Sequence, residues 1–206
     1  MGESMRLGRT KEDRGGMRWQ TRRDQLVKLW PATARSHTRV LHVIDDLDDA
    51  ALRERPGRAN PIAFDLWHIA RWADWLQTEI STTRGEDLRS IWEREDLPAR
   101  WRWDGAKLGA FQTGMGMDEG VSAQLPLPEK SEIERYAREC FSAFDAVVAS
   151  LGEEDLRGEL KSGSPNEMDD AKIHTWIVSI LVHANRHLGM IESLKGSLGL
   201  RGTASV

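Results

Sequence analysis

Residues 60–81 read NPIAFDLWHIARWADWLQTEIS. Ile62, Leu66, Ile69, Ala73, Leu76 and Ile80 recur at helical spacing and make one apolar stripe, while Phe64, His68, Trp72 and Trp75 make another. A helix that is apolar on two faces is buried on two sides, so it needs several partners. Asn60 followed by Pro61 predicts its start, with an N-cap and a proline at the first helical position, and the pattern runs to about Ser81.

Three further helices supply the partners. Upstream, Leu26, Trp30, Thr33, His37, Val40, Leu41, Ile44 and Leu47 predict a long helix from Arg23 to about Leu47, and Pro56 and Gly57 break the chain after it. Downstream, Ser131 with Glu134 reads as a capping box opening a third helix, whose stripe is Ile133, Ala137, Cys140, Phe144, Val147 and Leu151, with Gly152 ending it. After a turn-rich stretch from Gly158 to Asn166, a fourth helix is expected from about Asp169 to Lys195, stopping at Gly196. Between Arg84 and Pro128 the periodicity is poor and Gly and Pro are frequent, which suits loops and short helices. The expected fold is therefore all-α: an up-down-type four-helix bundle with a long irregular excursion between helices two and three.

Composition agrees with one soluble domain. The chain has 206 residues, 39% hydrophobic and 30% charged. The bundle is expected over residues 21–200, after a disordered basic tail at 1–20 and before a short tail at 201–206. No apolar run approaches the roughly 20 residues that cross a bilayer, and no secretory h-region is visible, so the reading is cytoplasmic and free of membrane. The single cysteine, Cys140, excludes an internal disulfide framework and sits mid-stripe, as buried packing. A net charge of −4 gives no case for nucleic acid, although the first 23 residues carry seven Arg or Lys against three acids. Trp67, Trp72, Trp75, Trp92, Trp101 and Trp103, six of the nine tryptophans, must line a core or a pocket.

His183 and His187, four apart, lie one above the other on a helix turning about 100° per residue. Trp176, Ile180, Met190, Ile191 and Leu194 share that face, so both rings point inward, where a polar ring needs a partner. Two readings meet that need: core histidines bonded to carbonyls, or a metal site completed by a third ligand. His68 is the best supplier, with His37 as a rival. His174, nine residues before His183, falls about 180° away and reads as solvated, and His42 lies off its helix stripe and reads as exposed. Three neutral imidazoles leave open positions, as in catalytic sites, and suit zinc, nickel or iron. Asp65, one turn before His68, either orients an imidazole or is a solvated carboxylate. Trp101, Trp103, Arg186 and Met190 are candidate pocket residues. Other chemistries lack their residues: Ala184 stands where a zincin motif has Glu, only one Glu-x-x-His-like pair exists (Asp65, His68), and there is no phosphate loop or nucleophile elbow.

Asn60-Pro-Ile-Ala-Phe-Asp-Leu-Trp-His68-Ile-Ala-Arg-Trp72 and His183-Ala-Asn-Arg-His187-Leu-Gly-Met-Ile-Glu-Ser-Leu-Lys-Gly196 resemble the DinB-like superfamily over about residues 21–200. Trp92-Glu-Arg-Glu and Thr113-Gly-Met-Gly-Met are similar to its loop region. The resemblance implies a metal triad of His68, His183 and His187, with a metal-bound water. It also implies thiol-dependent transferase or isomerase chemistry on a small molecule, a low-molecular-weight thiol as co-substrate, and a homodimer; a water on the metal would make hydrolysis the other expected reaction. Met190 stands where many relatives carry Gln. The alternatives are a non-catalytic metal- or ligand-binding bundle and a purely structural dimerising bundle.

Overall fold

The structure, a computed structural model, describes residues 29–163 and 170–203. The expected basic tail, the start of the first helix before Leu29, Asp169 and the end of the C-terminal tail lie outside these residues.

Four long helices carry the fold: α1 (Leu29–His42), α3 (Ile62–Thr83), α7 (Lys130–Ser150) and α9 (Ile173–Ser197). The short helices α2 (Asp49–Arg53), α4 (Ile91–Arg94), α5 (Leu97–Arg100), α6 (Glu119–Gln124) and α8 (Glu153–Arg157) fill the connections. No strand occurs among the described residues, only isolated bridges at Ala110–Met115 and Glu159–Lys172. The chain is an all-α bundle, as the patterning predicts.

Both α3 and α1 pack against α7 and α9. Bonds between them set their senses. Ser36 meets Asn185, and Lys195 meets Val43 and Asp46, so α1 and α9 run parallel. His37 meets Asp145 while Lys130 meets Asp45 and Leu47, so α1 and α7 run antiparallel. Asp65 meets His187 and Trp72 stacks on Trp176, so α3 and α9 run antiparallel.

Tertiary contacts move three expected boundaries. The first helix stops at His42 rather than Leu47, because the fully buried ammonium of Lys195 takes the Val43 carbonyl at 2.8 Å and Asp46 at 2.7 Å. Asn60 does not cap α3: its side-chain oxygen accepts from Arg55 and from the Ser122 hydroxyl, and Pro61 holds the cap position. Nor does Ser131 open a capping box. Asp49 reaches across to accept from the Lys130 N–H at 2.7 Å, which starts α7 earlier, and Glu134 pairs with Arg138.

The stripes of α3 are buried as expected, with Ile62, Leu66, Ile69, Ala73, Leu76 and Ile80 all at the core. Of the first stripe, Val40 on α1 and Ile44 just beyond it are buried, but Trp30 is 45% exposed. The excursion folds against α3 through Asp74, which accepts from the backbone N–H groups of Ile91 and Trp92. It carries Trp92, Trp101 and Trp103 onto Trp67 and Tyr136 as a contiguous aromatic layer.

Candidate metal centre

His183 and His187 project from one face of α9 toward His68 on α3. The three ring centroids lie 4.5–4.8 Å apart. One ring nitrogen from each falls within 4.8 Å of the others. The i,i+4 spacing stacks the pair, and the antiparallel crossing brings the third ring in from the opposite wall.

The outer nitrogens decide what the inner ones can do. His68 Nδ1 donates to the Thr113 carbonyl, and His187 Nδ1 donates to Asp65 Oδ1 at 3.1 Å. A carbonyl and a carboxylate only accept, so both bonds hold the proton on Nδ1 and leave Nε2 as a lone pair turned inward. His187 Nε2 is buried without a partner, as is His183 Nδ1. His183 Nε2 faces His68 Nε2 at 2.9 Å. Two imidazoles held nitrogen to nitrogen beside an orphaned third nitrogen could hold a metal ion, and Nδ1 bonds of this kind orient imidazole ligands where a metal is bound.

Electrostatics agree. Burial pulls His68 down to about 4 and His183 down to about 2, and neighbouring positive charge, including Arg186, pushes the same way. Both rings are neutral at pH 7, the form in which an imidazole can ligate a metal. Burial raises the Asp65 carboxyl, opposed by its bond to His187.

Gly114 closes the site from the excursion. Its φ is +89°, and a Cβ there would stand 3.0 Å from Trp67 and 3.1 Å from His68 Nδ1, so any other residue would be strained and would crowd the imidazole. Ala110 N to Met115 O at 2.9 Å and Gly114 N to Leu108 O at 2.8 Å pin this turn.

A cavity of about 570 Å³ opens over the three histidines, walled by Trp72, Trp176, Ile180, Met115 and Met117 as well as the site residues. Arg186 and Met190 line it and are exposed. Asp65 is 1% exposed against His187, so it is not a solvated carboxylate. Trp101 and Trp103, expected at the pocket, do not line it. Their rings are buried in the aromatic layer, and their indole N–H groups go to Glu132 and the Pro126 carbonyl. The rival ligand His37 is outside the cluster, bonded to Asp145 and stacked on Phe141. His174 is half-buried rather than solvated, because Leu156 O takes its Nδ1 at 2.8 Å. His42 is exposed and Cys140 buried, as expected. Thr113 and Gly114 are the site residues the pattern did not single out. The glycine alternation at 114 and 116 signals positive φ, but not that the turn meets His68, 45 residues earlier.

A family model described as the DinB superfamily matches residues 32–191. A crystal structure described as a conserved protein from Enterococcus faecalis is similar in fold, with a TM-score of 0.63 and 16% identity, over 83% of this chain and 95% of that one. No curated protein matches.

Proposed function

The chain belongs to the DinB superfamily, and we propose that it is a metal-dependent enzyme whose divalent transition metal, zinc or nickel by preference and iron as the alternative, is held by His68, His183 and His187. The observation that carries this reading is the inward lone pairs: Thr113 and Asp65 hold the outer protons of His68 and His187, so Nε2 of each is free to ligate. Such a metal, when bound, lowers the pKa of a water or a substrate thiol into the neutral range. That chemistry fits transfer to or hydrolysis of a small molecule, with a low-molecular-weight thiol as the co-substrate the family resemblance suggests.

The chain's own residues do the positioning. Asp65 holds the His187 ring, and the glycine turn at Gly114 holds the Thr113 carbonyl on His68. The bowl of Trp72, Trp176 and Ile180 excludes bulk water from one side of the substrate. We read the protein as cytoplasmic; no helix among the described residues is long and apolar enough to cross a membrane. The expected homodimer has its best surface on α9, where Val178 and Val182 are 40% and 62% exposed.

Metal content of protein purified without a metal-binding tag, beside the His183→Ala, His187→Ala double variant, tests the reading. About one metal per chain is expected in the parent and none in the variant. Equal content in both, or none in either after incubation with zinc and nickel, overturns it. Stoichiometric metal without turnover of thiol-transfer or hydrolase substrates leaves a binding protein instead.

A further inference from the structure

The cavity over the histidines has a charge pattern that specifies its ligand. Of its lining residues, Asp65 is the sole carboxylate, and it is buried with one oxygen on His187. Arg186 is the sole lining arginine or lysine, and among the described residues it has no hydrogen bond or ion pair. Elsewhere on the surface, Arg58, Arg100, Arg135 and Arg138 are each paired to a glutamate. Arg186 therefore offers a whole guanidinium fork to whatever enters. The apolar part of the wall is Trp72 and Trp176, stacked at 6.2 Å between centroids, with Met115, Met117 and Met190, and Asn60, Ser122 and Ser179 add neutral polar groups. Flexible methionines facing rigid rings accept a flat or unbranched apolar body of varied shape.

We propose that the site takes a small organic acid, its carboxylate paired to Arg186 and its apolar body held between the tryptophans and the methionines. This rests on the reading of the cavity as the substrate site, but not on the metal itself. Arg186 sits on α9 by its place in the helix, so the acid preference persists in metal-free protein.

The test is calorimetric titration of full-length protein, zinc-loaded and metal-free, with phenylacetate, phenylpropionate and hexanoate, each against its amide. The acids are expected to bind about tenfold more tightly than the amides in both forms, since a carboxylate gains charge-assisted hydrogen bonds that an amide does not. Arg186→Gln is expected to abolish the difference and Arg186→Lys to keep part of it. Circular dichroism of each variant checks the fold. Amides binding as well as acids, a preference that survives Arg186→Gln, or no binding of any acid at millimolar concentration overturns the proposal. A preference confined to the zinc form also overturns it, because the carboxylate is then held by metal. Metal content is measured on the same samples, so an acid preference in protein that takes up no metal defeats the metal reading alone.

Discussion

Two buried polar clusters share helix α3. Asp65 and His68 belong to one, Asp74 and Gln77 to the other, and they differ in how their polar atoms are satisfied. Asp74, fully buried, accepts from four donors: Gln77 Nε2 and Ile91 N on one oxygen, Trp92 N and the Tyr136 hydroxyl on the other. Arg71 lies beside it, with Nη1 3.8 Å from the carboxylate, its guanidinium over the Trp92 ring and Nη2 on the Phe111 carbonyl, while its Nε and Nη1 make no hydrogen bond, so the contrast lies between the two carboxylates. One end of the Asp65 cluster is tied just as firmly, yet Asp65 Oδ2, His183 Nδ1 and His187 Nε2 are buried with nothing to bond. A buried carboxylate with full valence is a structural tie. Polar atoms that are oriented and left open are what a ligand site requires.

The comparison breaks first at Asp74. Asp74→Ala strands the Tyr136 hydroxyl and two backbone N–H groups in the core, so a stability loss of about 3–5 kcal/mol is expected by denaturant titration. Metal bound per folded chain should be unchanged. A variant that loses metal but not stability would reverse the two roles.

Acid should act at the other cluster. His68 and His183 have folded values near 4 and 2, below the ordinary histidine value of 6.5. The unfolded chain therefore takes up protons first as pH falls, so metal-free protein holds full stability above about pH 6.5 and loses it progressively toward pH 4. The slope is about 1.4 kcal/mol per pH unit for each histidine. Melting temperatures across that window measure it, and His183→Asn should shallow the curve. A flat profile would mean that these rings are not buried neutral.

Gly114→Ala adds a methyl group at 3.0 Å from Trp67 and 3.1 Å from His68, at φ +89°. A cost of roughly 1–3 kcal/mol is expected, together with weaker metal binding, because the displaced turn takes Thr113 with it. Unchanged metal affinity would release the turn from any part in the site. The smallest effect is expected from Asp65→Asn, which keeps the shape but removes the charge that His187 faces. About tenfold weaker metal binding should follow, with little change in fold stability. Equal affinity would make Asp65 a packing partner only.

Much of this was legible in the residues and some was not, for reasons that lie in particular contacts. The α3 stripes and the inward histidine pair follow from a period of 3.6, which is local. The expected capping box at Ser131 failed because a carboxylate 81 residues away, Asp49, supplies the cap. Trp101 and Trp103 are aromatic residues of a loop, and nothing in their own neighbourhood says whether they face a core or a cavity. Asp65 was ambiguous for the same reason, since its burial depends on α9 lying across it.

By itself the sequence determined the all-α class, the four long helices and the inward pairing of His183 and His187, because side-chain periodicity and the i,i+4 register are properties of a single helix; for the third ring it offered His68 with His37 as a rival. The tertiary structure alone decided which protons the imidazoles keep, which residues wall the cavity and what a side chain at Gly114 would crowd. Those depend on groups brought together from α3, α9 and the excursion, and a hydrogen bond between segments leaves no period in either of them.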